Sequence, residues 1–219
     1  MPIPKKNTSQ HPQTARQRIY TTLKEWIIDG TLKPEEKISD MEIAEYFSVS
    51  RTPVREAMQL LADQKLIEIF PGKESRVSAI DWENAGQVYI MLSELQAVAM
   101  QFAFPKLSND IIERLEKINN EMEKALQNDY VEVIRNCDNS FHDVILELSG
   151  NNFLINFNDI LRNHVMRIEN LYYSSQKKHI SSVKEHEQII EALKCGDLES
   201  AKEAMRKNWL HAMEVVGLN

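Results

Sequence analysis

Two amphipathic stretches separated by only three residues constrain this chain more than any other feature in it. The first opens at Ser39-Asp40-Met41-Glu42. There the Ser39 hydroxyl and the Glu42 carboxylate can each take a free amide of a helical first turn, which is a capping box. The spacing predicts a short helix to about Phe47. Ser48-Val49-Ser50 interrupts it, and a second helix follows with an apolar stripe at Val54, Ala57, Met58 and Leu61. Ser50 is placed to cap that helix, and Pro53 falls in its first turn, where a missing N–H costs nothing. Two helices joined by so short a turn make a helix-turn-helix.

The flanks extend the pattern. Upstream, Thr14 to Gly30 carries Ile19, Leu23, Trp26 and Ile27 on one helical face, with Thr14 able to cap the start and Gly30 to supply the left-handed end. Downstream, Leu66-Ile67-Glu68-Ile69-Phe70 and Ser75-Arg76-Val77-Ser78-Ala79-Ile80 are β-rich runs around Pro71-Gly72-Lys73-Glu74. They read as a hairpin, and a hairpin appended to a helix-turn-helix is a wing.

Opposite its apolar stripe the second helix presents Arg51, Thr52, Arg55 and Gln59. A helix N-terminus favours phosphate, and an arginine there can fork onto the O6 and N7 edge of guanine. Lys73, with Gly72 permitting close backbone approach, is placed to reach a neighbouring minor groove or backbone. Any one of these arginines alone reads more readily as a solvated surface residue. The cap, the first-turn proline, the paired bases, the opposed stripe and the hairpin together point to duplex DNA.

Charge has to be read by segment. The chain carries a formal net charge of −7, but residues 1–80 hold 12 basic against 11 acidic side chains while residues 81–219 hold 14 against 22. A polyanion is therefore expected at the first half only. Hydrophobic residues make up 42% and charged residues 27%, which excludes a disordered chain. No apolar run approaches the roughly 20 residues of a membrane span. The polar stretch from Met1 to Gln17 lacks the apolar core of a leader, so a cytoplasmic location is expected. Cys137 and Cys195 are too few for a disulfide scaffold and read as reduced thiols within helical patterns.

From Asp81 onward only helical periodicity is found, broken near Pro105, near Asn128, at Gly150-Asn151, between Tyr173 and Ser181, and at Gly196. Asp81, Ser108, Asp129, Ser182 (with Glu185) and Asp197 are the expected caps of about six helices. The fold class is thus mainly α: a flexible N-terminus (1–13), a winged helix-turn-helix (14–80), and an all-helical bundle (81–219) for effector binding and dimerisation.

Ser50-Arg51-Thr52-Pro53-Val54-Arg55-Glu56-Ala57, preceded by Glu42-Ile43-Ala44 and followed by Leu61 and a glycine-bearing wing, resembles the GntR family of bacterial regulators over about residues 16–80. The resemblance implies that Arg51, Thr52 and Arg55 contact an operator and that Gly72 enters the minor groove. Ser50, Pro53, Gln59 and Lys73 complete the expected DNA-binding set. Pro34-Glu35 stands where the family usually has Pro-Gly, and Met41 where some members place a basic residue.

In the third helix of the second half, Asp138 and His142 are four apart and project from one face, a spacing that lets a carboxylate and an imidazole share a divalent metal. A surface ion pair is the plainer reading of that spacing alone. His186, expected at the start of the next-to-last helix, and His211 or Asn208 in the last are the available third ligands.

The run Asp138-x-x-Phe141-His142, then Ser149-Gly150-Asn151, Glu185-His186, Gly196-Asp197 and Ala204-Met205-Arg206, resembles the FCD effector domain of the FadR-type GntR subfamily over about residues 84–216. That resemblance implies a zinc or nickel ion on Asp138, His142 and His186, with Asn208 at the fourth ligand position. An asparagine would ligate through its carbonyl oxygen, more weakly than imidazole. Arg162, Arg167, Tyr172, Tyr173 and Glu94 are the expected effector-binding residues, with a small carboxylate the leading ligand and an apolar or acyl ligand of a metal-free site the alternative.

The expected function is an effector-controlled repressor that binds operator DNA as a homodimer, since one small head offers few contacts. A metal-dependent hydrolase would use the same Asp/His cluster. No His-Glu-x-x-His run, no nucleophile elbow and no base separable from the ligands is present, so no enzyme is expected.

Overall fold

The computed structural model describes residues 14–70, 75–172 and 179–218, the side chains of 171, 172, 179 and 180 excepted. The chain divides into two compact units, Met1–Ala79 and Ile80–Asn219.

The first unit runs α1 (Ala15–Ile28), β1 (Lys37–Ile38), α2 (Asp40–Phe47), α3 (Arg51–Asp63), β2 (Ile67–Glu68) and β3 (Ser75–Val77). The Thr14 hydroxyl accepts from Gln17 N and the Ser39 hydroxyl from Glu42 N, so the two expected caps form. Ile19, Leu23 and Ile27 of α1 pack with Val54, Ala57, Met58 and Leu61 of α3 in one buried cluster. Truncating a side chain as enclosed as Leu61 costs about 2–5 kcal/mol. Burying that stripe is also what turns the opposite face of α3 outward.

The turn between α2 and α3 is made by Ser48 in the left-handed region (φ 53°), its N–H returning to Ala44 and Glu45 carbonyls. Ser50 stands at the N-cap of α3, but its side chain makes no capping bond, contrary to expectation. An N-cap oxygen accepts from the second or third amide of its helix; Pro53 removes the third, and that of Thr52 remains without being used.

The wing is larger than the hairpin read from the sequence. β1 joins it, giving an antiparallel sheet in the order β1-β3-β2, with Lys37 opposite Arg76 and Ile67 opposite Val77. A two-residue strand leaves no period-2 signal to find. It is held in place by Val77 N donating to Glu36 O (2.9 Å) and Glu35 N to Val77 O (3.0 Å). Glu35, where the resemblance leads one to expect glycine, takes φ 65°. Turn residues 71–74, and with them Gly72 and Lys73, lie outside the described residues.

The second unit contains α4 (Ala85–Ala103), a short 3-10 turn at Phe104–Lys106, α5 (Asn109–Gln127), α6 (Val131–Ser149), α7 (Asn152–Tyr172), α8 (His179–Lys194) and α9 (Leu198–Val215). Helix α4 packs against α6, α7 and α9, and its Tyr89, Leu92 and Met100 join Phe141, Ile145, Val165, Ile189, Met205 and Trp209 in the core. Ser108 and Asp197 cap α5 and α9 as expected.

Three other starts differ. Asn84 occupies the cap position of α4, with Asp81 one turn upstream accepting from Asn84 N. Tyr130 stands at the cap of α6, because Asp129 adopts φ 58° in the preceding turn. Helix α8 begins at His179, so Ser182 is an interior position and His186 lies two turns in; residues 179–194 contain no glycine or proline to stop it. Cys195 sits just beyond α8, outside its helical pattern. At the other end of α6, Lys106 Nζ donates to Ser149 O (2.6 Å) beside Gly150 (φ 67°), where an added Cβ would meet Nζ at 2.8 Å. Among the described residues no helix is long and apolar enough to cross a membrane.

Candidate DNA-reading face and metal centre

Arg51, Thr52, Arg55 and Gln59 all lie exposed on α3, one helical face apart from its buried stripe. The arginines are not solvated independently. Asp40, the first residue of α2, receives Arg51 Nη2 on both oxygens (2.7 and 2.9 Å) and Arg55 Nε on Oδ2 (2.7 Å). The hydrogen bond from Arg51 is the largest influence on the Asp40 carboxyl and lowers it; burial opposes, and the hydrogen bond and charge of Arg55 with the charge of Arg51 help hold it below the usual aspartate range. Gln59 donates to Asp63 Oδ1 (2.9 Å), an i, i+4 pair along α3. The sequence reading missed Asp40, although an acidic residue directly after the Ser39 cap, facing a helix that opens with two arginines, was a usable signal.

In the helical unit, α6 and α8 bring together Asp138, His142 and His186, whose ligand atoms all lie within 4.8 Å of one another. His142 is 2% and His186 0% exposed, so both imidazoles are enclosed. His186 Nε2 is 3.7 Å from Asp138 Oδ1. On its other side, His186 Nδ1 lies 3.1 Å from Asn119 Oδ1, and Asn119 Nδ2 donates to Val183 O (3.0 Å). Because the amide nitrogen is used on a carbonyl, the amide oxygen must accept, so Nδ1 carries a hydrogen and Nε2 is the nitrogen turned toward Asp138. Phe141 stacks flat on the His186 ring at 3.8 Å, and Trp209 lies 4.7 Å from His142.

Asn208, on α9, is buried beside them. Its Nδ2 donates to Glu185 Oε2 (2.7 Å), which leaves the carbonyl oxygen as the atom it can offer a cation. Glu185 Oε1 is in turn 2.5 Å from His211 Nδ1, so His211 serves Glu185 and is not part of the ligand cluster. The grouped donors, two imidazoles and a carboxylate, fit a divalent transition metal. Asn119 and Glu185 were missed as supports: their partners lie 67 and 23 residues away, beyond local spacing.

A cavity of about 20 Å³, room for a single water-sized species, adjoins the cluster and is lined by Asp138, His142, Arg162, Met166, Asn208 and Trp209 among others. Of the expected effector residues only Arg162 reaches it; its Nη1 pairs with Asp143 Oδ1 at 2.5 Å. Arg167 is only 2% exposed, and burial pushes its pKa down to about 10. It does not line this cavity. Glu94 is paired with Arg206 (2.9 Å) at the surface, away from the cluster. The side chain of Tyr172, and all of Tyr173, lie outside the described residues.

Residues 15–77 match the family described as bacterial regulatory proteins, gntR family, and residues 87–210 match the FCD domain. The chain is similar to the HTH-type transcriptional regulator YdhC of Bacillus subtilis (strain 168), 30% identical over 203 residues, covering 90% of this chain and 88% of that one. It is similar also to the HTH-type transcriptional repressor RspR of Escherichia coli (strain K12), 22% identical with 93% and 90% covered. The solved structure of E. coli McbR/YncC superposes with a TM-score of 0.78 at 19% identity, covering 94% of this chain and 98% of that one, which shows the fold. With an arginine-bearing helix-turn-helix in its first unit and a six-helix second unit matching FCD, the chain belongs to the GntR family, in its FadR-type subfamily: it is a DNA-binding transcription regulator and not an enzyme.

Proposed function

We propose that this regulator is a repressor that grips a two-fold-related operator as a homodimer, through Ser50, Arg51, Thr52, Pro53, Arg55 and Gln59 of each head with Gly72 and Lys73 of each wing. It is released when a small carboxylate enters the helical unit beside a divalent ion, zinc or nickel, on Asp138, His142, His186 and Asn208. The observation that carries the effector half is the pair of buried imidazoles facing one carboxylate, with donor atoms within 4.8 Å and one tautomer fixed by Asn119. Two histidines are rarely enclosed together without a cation or acid to satisfy them.

Bound there, a divalent ion would offer a carboxylate ligand a positively charged partner. Arg162, at the rim of the same cavity, supplies a second counter-charge. Trp209 of α9 and Met166 of α7 line the same cavity. A carboxylate effector that binds one arrangement of these helices better than another would be coupled to DNA release through that difference in affinity. The dimer reading is supported by Ile90, Met91, Val98 and Phe102 on α4 and Phe153 and Phe157 on α7, large apolar side chains exposed on two helices that pack side by side. The repressor RspR is a relative in which that sign of regulation is named.

The test is elemental analysis of the full chain purified without chelator, with sedimentation in the same buffer. About one divalent ion per chain and a dimer are expected. A metal-free protein whose His142→Ala variant binds DNA and effector unchanged would overturn the metal reading.

A further inference from the structure

Two arginines on a DNA-reading helix would ordinarily be free to find any phosphate. Here they are not. Asp40 comes from a different helix, is 21% exposed at its side chain, and has both oxygens taken by guanidinium groups whose own side chains are 53% and 65% exposed. Glu42, one turn into the same helix, shows the alternative: an acidic residue at a helix start that faces solvent and needs no partner on α3. The pairing therefore does more than neutralise the α2 dipole.

Resting on the reading of α3 as the helix that meets DNA, we infer that Asp40 is a specificity-determining positioning residue, which holds Arg51 and Arg55 in one preformed arrangement and penalises contacts that lead with phosphate. Three features support this. Arg55 is held by Nε, so its Nη1–Nη2 edge, the edge that forks onto guanine, stays out of the ion pair. Arg51 is held through Nη2 alone, by both carboxylate oxygens, which fixes its plane. Ordering two rotamer-rich side chains before DNA arrives removes an entropic cost that would otherwise be met on binding any sequence. The carboxylate between them meanwhile repels the backbone: two positive charges and one negative leave a weaker sequence-independent attraction than two positive charges alone. Base edges gain from the geometry, and phosphates lose from the charge.

The experiment uses the full chain, a short duplex selected by the unmodified protein from a randomised pool, and a scrambled duplex of the same composition. Asp40→Asn keeps size and removes charge. The scrambled duplex is expected to bind more tightly, with a steeper salt dependence, and the selected one no better, so that the ratio of affinities falls about tenfold. Asp40→Glu should restore the ratio; Asp40→Ser repeats the test should the amide perturb α2. If both duplexes shift by the same factor, or neither shifts, Asp40 is a passive charge and the inference is overturned. Arg51→Ala and Arg55→Ala run alongside: an unchanged ratio in both would mean instead that α3 is not the reading helix.

Discussion

The amide oxygen of Asn119 stands 3.1 Å from Nδ1 of His186 and accepts its hydrogen, so a residue of α5 decides which nitrogen α8 turns toward Asp138. Replacing Asn119 with Leu leaves His186 in place but frees its tautomer. Metal affinity is expected to fall by about 10–100-fold, as it does when other second partners of histidine ligands are lost. Competition with a chromophoric chelator measures it, and a wild-type affinity would show that Asn119 serves only to tie α5 to α8.

On the proposed reading Asn208 would supply an uncharged oxygen where imidazole would bind a borderline metal more strongly. Asn208→His should therefore tighten zinc or nickel binding, at some loss of stability because Glu185 Oε2 gives up a 2.7 Å partner. Titration with the same chelator, beside a thermal melt of the metal-free form, separates the two effects. Weaker binding would place the fourth ligand elsewhere.

Arg51→Ala or Arg55→Ala is expected to cost about 1–3 kcal/mol of operator affinity and to relax base preference at one position each. Fluorescence anisotropy on the selected duplex and its single-base variants reads both quantities. A uniform loss across all sequences would assign the side chain to phosphate instead.

Glu35 occupies left-handed backbone at φ 65° without the freedom of glycine. Glu35→Gly relieves a strain of about 1–2 kcal/mol but gives the unfolded chain more entropy to lose. The net expected change is a gain of up to about 1 kcal/mol, visible as a higher denaturation midpoint at constant slope. Destabilisation would mean that the Glu35 side chain contributes more to the wing than its backbone strain costs.

The Asp40 pair also sets an acid limit on the reading head. Its folded value lies below the ordinary aspartate value of 3.8, so the unfolded chain takes up the proton first. The stabilising contribution is then complete above 3.8 and disappears as the pH drops through the lower folded value. In Asp40→Asn that acid-sensitive part of the denaturation curve should vanish, and stability near neutrality should fall by the same amount, a small one because the arginine side chains are exposed.

The helix-turn-helix was legible because its signals are local: a capping box, a three-residue interruption and an apolar stripe within one short window. The same locality explains what was not. β1 has two residues and is defined only by its partner β3. The start of α8 carries no stop signal, so a serine at 182 with glutamate at 185 imitated a cap inside the helix. At the metal centre, Asp138 and His142 share a helix and could be paired by counting, whereas Asn119 and Glu185 depend on how α5, α8 and α9 pack. Arg167 illustrates the limit from the other side: nothing in its neighbours along the chain foretells that so large a cation is enclosed.

Pro53 carries one more implication. It withholds the third amide of α3, one of the two that a serine in that place commonly accepts from, and the Ser50 hydroxyl makes no capping bond at the leading tip of the helix. On the proposed reading, a residue that elsewhere would be consumed in holding its own helix together is here at liberty to clasp the sugar–phosphate strand as the head settles into the groove.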